Sequence, residues 1–280
     1  MRVPHYKTID PQDYNPVEHD PLYGSNNDSK VMAGYMGHFL CFPYVGGMNS
    51  NFEQQLGFGA HGEAAVVKWD IDQMVTDDNE AAILTSATLP LSSYSVKRSL
   101  TMHSGQSVVM VEEEVENLEG FDRPYQWVQH ITFGNPFIEY GKTFVDAPVS
   151  RIALSQEKDD PSNFTNGQWP IMKTSKGDSI NAGVFDMAKD EGLYRAWLMD
   201  QERTHTWFTM YNRDYNLLIG YVFSKEENPW IGDWQENGLK KHVPWKGEAV
   251  AWGLLVGTSP FTWGVKHSIE RGPIFDTETY

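Results

Sequence analysis

Cys41 is the single cysteine in a chain of 280 residues, so no intramolecular disulfide can form. It lies in the apolar run Leu40-Cys41-Phe42 and is expected to behave as a small buried hydrophobe. Bases are scarce as well. Lysine and arginine number 22 against 38 acids, giving a formal net charge of -16. A field of that sign repels nucleic acid and anionic lipid, so neither is expected as a partner. No apolar run approaches the roughly 20 residues that cross a bilayer. The opening Met1-Arg2-Val3-Pro4-His5-Tyr6 lacks the apolar h-region of a secretory leader, which makes the cytoplasm the expected location. The sequons at Asn27 and Asn163 then carry no meaning. Helical periodicity is missing too: no window longer than about 12 residues repeats apolar positions every 3.6 residues. Nucleophile signatures of the Ser/His/Asp kind, phosphate-binding glycine loops and Cys-x-x-Cys pairs are absent.

What remains is strand after strand. Residues 107–116 are the clearest, with Val109, Val111 and Val115 alternating with Met110, Glu112, Glu114 and Glu116, which predicts one wet face. Residues 81–89, 94–102, 125–133, 145–154, 193–199, 206–211, 217–223 and 248–256 have similar length and chemistry. Turns are expected at Asp77-Asp78-Asn79, Ser104-Gly105 and Glu119-Gly120. Residues 1–30, rich in Pro, Asp, Asn and Tyr, read as an irregular arm. Residues 158–181 read as a long polar loop or the edge of a short subdomain. The expectation is therefore an N-terminal arm, 1–30, and one all-β domain, 31–280, a large and mostly antiparallel sandwich. Aromatics at 13% supplement a hydrophobic content of 40% in building its core.

Chemistry concentrates in two places. The first is histidines on glycine-flanked strand ends: His38 in Gly37-His38-Phe39, His61 in Gly59-Ala60-His61-Gly62-Glu63, and His130 in Gln129-His130-Ile131. Their order suits three histidines lining one sheet face, and Gly62 suits a close backbone approach. Each histidine could equally be structural. His38, His61, Glu63 and His130 could ligate a divalent ion, but the His-x-His spacing of all-β metal proteins is missing, and no metal or cofactor is expected. The second place is Trp230-Ile231-Gly232-Asp233-Trp234-Gln235-Glu236-Asn237-Gly238, read as turn-rich. Indoles beside acids and amides suit sugar rings. Glu236 is its favoured acid and Asp233 the second. A core tryptophan pair beside a solvated turn is the plainer reading. Glu112, Glu113, Glu114 and Glu116 read as a solvated strand face.

The run Gly37-His38-Phe39-Leu40-Cys41-Phe42-Pro43, the Gly/Asn loop 46–51, and His61-Gly62-Glu63-Ala64 leading into the apolar run Ala65-Val66-Val67, read as a strand ending in Trp69, resemble the aldose 1-epimerase (galactose mutarotase-like) superfamily. So do Arg98-Ser99-Leu100, Glu114-Val115-Glu116-Asn117, Gln129-His130-Ile131-Thr132-Phe133 and Gly253-Leu254-Leu255-Val256-Gly257. The resemblance spans about residues 31–264 and implies a β-supersandwich with a pocket for a small carbohydrate. It implies that His130 is the general acid on the ring oxygen and that His61 positions the sugar. Two departures stand out. Gly47-Met48-Asn49 stands where the family has an arginine, and Leu255 stands where it has the base glutamate, leaving Glu236 as the tentative base. The expected site is then His130, His61 and Glu236 for catalysis, with His38, Asn49, Glu63, Gln129, Trp234 and Asp233 around the sugar. The leading expectation is a cofactor-independent epimerase or mutarotase. The alternatives are a non-catalytic carbohydrate binder, or a polysaccharide lyase or hydrolase on the same fold.

Overall fold

The computed structural model describes residues 9–34, 37–47, 50–154, 165–174, 177–243 and 245–280. The strands are β1 His38–Cys41, β2 Asp70–Thr76, β3 Glu80–Leu89, β4 Tyr94–His103, β5 Val109–Asn117, β6 Val128–Gly134, β7 Thr143–Asp146, β8 Val149–Ala153, β9 Thr165–Gln168, β10 Ile171–Thr174, β11 Ser179–Asn181, β12 Glu191–Met199, β13 His205–Asn212, β14 Leu217–Ser224, β15 Trp230–Asn237 and β16 Val250–Gly257. The helices are short: α1 Pro16–Tyr23, α2 Ser29–Gly34, α3 Asn51–Gln55 and α4 Val265–Arg271. The expected all-β architecture is what the chain forms.

An antiparallel six-stranded sheet, β1-β6-β16-β15-β12-β8, is the backbone of the molecule. One of its faces packs on the three-stranded sheet β14-β13-β7. Ile131, Phe133, Trp197, Ile231, Trp252 and Leu254 meet Val145, Phe208 and Met210 there in the main core. A four-stranded sheet, β2-β3-β4-β5, leans its inner half on β1 and the following segment, where Leu89, Tyr94 and Val96 bury Leu40, Phe42 and Ala64.

Four differences from the sequence reading have clear causes. Residues 230–237 form a central strand, not a turn. Both its faces are covered, so alternation is erased, and its buried polar residues hide it further. Residues 165–181 carry the small sheet β9-β10-β11 among the described residues. Residues 64–67 form a turn closed by Val66 and Val67 N–H groups on the Glu63 carbonyl, not a strand ending in Trp69. The N-terminal segment is also partly helical. The Asn15 side chain caps α1 at the Val17 N–H, Pro16 opens the helix and Gly24 closes it at φ 93°.

That segment helps build the site. Ile9, Tyr23 and Ala33 make its own small cluster. Asn27 donates to the Phe58 carbonyl at 2.8 Å, and Asp28 accepts the Ala60 N–H at 2.7 Å. A Cβ on Gly59 would lie 2.3 Å from the Asn27 carbonyl oxygen, so glycine is required for this approach. The loop that delivers His61 is thereby pinned from the N-terminal side.

Candidate functional site

Register decides which histidines meet. In the β1–β6 pair, Phe39 lies opposite His130 and His38 opposite Ile131. Cross-strand partners share a face and neighbours in sequence do not. His38 and His130 therefore occupy opposite faces of the sheet. The expectation of three histidines on one face is corrected to two, His61 and His130.

His130 is 3% exposed, in the middle of β6. Phe39 stacks on its ring, with centroids 4.6 Å apart and planes 13° apart. The His61 ring meets it edge-on at 5.1 Å, and Trp234 of β15 stands 6.2 Å away, also edge-on. Nδ1 of His130 pairs with the Thr132 hydroxyl at 3.0 Å, two residues along the same face. His61 is held in the left-handed region, φ 66°, where histidine is tolerated better than most side chains. Its N–H donates to the Gly46 carbonyl at 2.8 Å, and Nδ1 lies 3.4 Å from the Cys41 sulfur. Gly62, φ 77°, follows; a Cβ there would fall 2.3 Å from the Phe42 carbonyl oxygen. The close approach read from the sequence at Gly62 is thus to the protein's own β1 extension.

Lys240 is a site residue that sequence reasoning missed. Its Nζ lies 5.0 Å from the Trp234 ring and 4.8 Å from the Trp245 ring, a cation held between two indoles. A lysine flanked in sequence by tryptophans on both sides was the available signal. Burial lowers its pKa, opposed by the Glu236 carboxylate. Burial also lowers His61, to about 4, with the Lys240 charge as the second cause. His130 is pushed well below its ordinary value by burial first, then by His61, His38 and Lys240. Both imidazoles of the pair are therefore neutral at pH 7, beside one cation. Burial pushes the neighbouring Cys41 thiol up, so it stays protonated.

The other expected residues are dispersed. Glu63 is buried and fully engaged: it accepts from the Leu91 N–H at 2.9 Å, the Ser92 N–H at 3.0 Å and the Ser92 hydroxyl at 2.7 Å, locking the β3–β4 turn. Asp233 points into the main core, where it pairs with Arg195 and accepts from Trp252 Nε1 at 2.8 Å and Gln235 Nε2 at 3.2 Å. His38 Nε2 meets Gln129 Oε1 at 2.9 Å, and Gln129 donates to Glu113 at 2.6 Å. Glu113 also takes Trp127 Nε1 at 2.7 Å and pairs with Arg98, so it is not part of the solvated acidic face. This second polar network lies on the face away from His130. Of the four residues weighed as a metal set, His38 and Glu63 lie apart from the His61–His130 pair, and no metal-ligating cluster of three or more occurs among the described residues. Asn49 lies outside the described residues.

Glu236 shares the His130 face but not its row. Gly232 pairs with Leu255, which pairs with His130, whereas Glu236 pairs with Ala251 and so with Gly134. Four residues along a strand is about 13 Å. The Glu236 carboxylate accepts the Lys240 N–H at 2.9 Å. The position directly beside His130 belongs to Leu255, which is 1% exposed and packs with Cys41, Val45 and Val128.

Residues 12–244 match the family described as a domain of unknown function, DUF4432. The chain belongs to that family. No curated protein sequence matches this DUF4432 chain. Among solved structures it is similar to a protein from Klebsiella pneumoniae provisionally named an aldose 1-epimerase, at TM-score 0.68 and 14% identity, over 96% of this chain and 64% of that one. A provisionally named mutarotase from Salmonella typhimurium gives TM-score 0.52 at 12% identity, over 78% and 64% of the two chains. A galactose mutarotase-like protein from Clostridium acetobutylicum gives 0.51 at 16%, over 80% and 70%. The DUF4432 chain thus spans just under two thirds of the first two. At these identities the likeness shows the fold, a galactose mutarotase-like β-supersandwich.

Proposed function

We propose that this protein opens and recloses the ring of an aldose or a simple aldose derivative, as an epimerase or mutarotase that needs no cofactor. The observation that supports it is the His61–His130 pair, set edge-to-face on one side of the six-stranded sheet with Phe39, Trp234 and Lys240 around it. Trp234 offers an apolar face to the C–H side of a sugar ring. His61 positions the sugar, and His130 exchanges the proton.

The resemblance makes His130 the acid. Its neutral state in the unliganded protein favours the reverse assignment. In the tautomer that donates Nδ1–H to Thr132, Nε2 carries a lone pair and takes the proton of the anomeric hydroxyl. Lys240, whose charge is felt by both imidazoles, then gives a proton to the ring oxygen as the C1–O5 bond breaks. C1 becomes the aldehyde carbon, rotates, and the two transfers run backwards on closure. Glu236 opposes the fall that burial imposes on the Lys240 pKa and lies too far along the sheet to act on His130 itself.

The test is anomer-exchange NMR with freshly dissolved aldoses, uronic acids and aldose phosphates across pH. A base at His130 gives a rate that holds through pH 6.5 and falls only well below it, where the buried imidazole takes its proton. An acid at His130 gives a rate that rises as pH drops into that same range. A second reading, a carbohydrate binder without catalysis, is favoured by Leu255 in the place beside His130 where the resemblance expects a carboxylate. Ligand contact without faster exchange would select it.

A further inference from the structure

Lys240 is a charged group beside the His61–His130 pair that the described chain leaves unmatched. Its Nζ sits 5.0 Å from the Trp234 ring and 4.8 Å from the Trp245 ring, and the two indoles stand at 78° with centroids 6.1 Å apart. Trp234 meets His130 as well, so ammonium and imidazole flank one indole. Among the described residues the ammonium has no ion-pair partner and no hydrogen-bond acceptor. The acids that could serve are engaged elsewhere. Glu236 turns an oxygen to the backbone N–H of Lys240, Glu63 locks the β3–β4 turn, and Asp233 pairs with Arg195 on the other face of the sheet. The position beside His130 is held by Leu255, which brings no charge. Neighbouring Lys241, by contrast, is exposed and paired with Asp190.

Indole faces replace only part of the hydration of an ammonium, and N–H donors without an acceptor cost more as water is excluded. A neutral sugar laid on Trp234 excludes water from Lys240 without returning a negative charge. An anionic sugar returns it through a charge-assisted hydrogen bond. Taking this side of the sheet as the sugar site proposed above, we propose that the substrate is a hexuronic acid whose carboxylate pairs with Lys240. In such a sugar the carboxylate carbon and the ring oxygen are bonded to the same ring carbon. One ammonium therefore meets both, the ring oxygen that takes its proton and the carboxylate that holds the ring in place. A phosphate ester at the same end of the sugar fits less well on two grounds. Its charged oxygens lie two bonds farther from the ring, and its second charge finds no second cation, since both imidazoles are neutral. The net charge of -16 also opposes a dianion more strongly than a monoanion. Salt screens that field beyond about 8 Å, so for a single carboxylate the local ammonium decides.

The experiment is calorimetric titration with methyl glycosides, which cannot open their rings and so report binding alone. The panel is the methyl glycosides of glucuronic, galacturonic and mannuronic acids, the neutral methyl glycosides of the parent hexoses, and methyl glucoside 6-phosphate. The expected result is that one uronoside binds at least about tenfold tighter than its neutral counterpart. Lys240→Met should abolish that difference and Lys240→Arg should restore part of it. If Lys240→Met alters the circular dichroism, the wild type decides by salt: rising sodium chloride should weaken the uronoside and leave the neutral glycoside unchanged. Equal affinity for acid and neutral glycosides, tightest binding of the phosphate, a preference that survives Lys240→Met in a folded variant, or binding of no member of the panel overturns the proposal. Anomer exchange of the free sugars separates this outcome from ring opening. A uronoside preference without faster exchange upholds the ligand class and retires the ring-opening reading. Faster exchange of neutral aldoses without the preference does the reverse.

Discussion

The six-stranded sheet and the four-stranded wing are both antiparallel and both alternate side chains from face to face, yet they differ in what covers them. In the six-stranded sheet both faces are packed. β15 and β16 keep almost no exposed residue, and even Asp233, Gln235 and Glu236 are buried. In the wing, β5 is exposed along most of its length on both sides. The lesson is that alternation reports a two-faced strand but not whether the apolar face is covered. Val109 and Val111 read as inward residues and stand in solvent, because β5 runs past the end of the core that receives Val115. Burial in the first sheet also does chemical work. It keeps the His61–His130 pair neutral, whereas residues of the wing meet no such constraint.

That contrast can be broken most strongly at Arg195. Arg195→Leu removes the cation from the buried Asp233 and leaves the carboxylate with Trp252 and Gln235. Unfolding free energy should fall by about 3–5 kcal/mol in urea titration. A change below about 1 kcal/mol would mean that Asp233 is neutral or hydrated in the fold.

Acid is the next lever. His61 is expected near 4 in the fold and near 6.5 when unfolded, so the unfolded chain binds the proton first. Stability is then complete above pH 6.5 and is lost as pH falls toward 4, by roughly 3 kcal/mol from this residue. His130 adds to the loss in the same direction. Denaturation midpoints between pH 7 and 4 check this, and His61→Gln should flatten the slope.

The smallest effect belongs to the wing. Val109→Ser should change stability by no more than about 0.5 kcal/mol. A loss above 2 kcal/mol would place Val109 inside the core.

Much of this was legible in the sequence, and the failures are physical. Strands with one wet face, such as 81–89 and 94–102, were found close to their bounds because solvent imprints alternation on them. β15 was lost because burial on both faces removes that imprint. α1 was lost because it has no apolar stripe, although the Asn15-Pro16 start and the Gly24 stop were in view. In the site, His130, His61 and Trp234 do converge. His38, Gln129 and Asp233 do not, since a shift of one residue in a strand moves a side chain to the other face, and register is not written in one strand alone. Lys240 was passed over because its place between two indoles depends on how the segment after β15 folds back.

The central claim is that His61 and His130 form one site and that His38 stands outside it. Anomer exchange in the wild type, His130→Ala and His38→Ala tests it most directly. The account predicts accelerated exchange in the wild type, a loss of at least about a hundredfold in His130→Ala, and retention within a few-fold in His38→Ala. Equal loss in both variants, or acceleration that survives in His130→Ala, would contradict it.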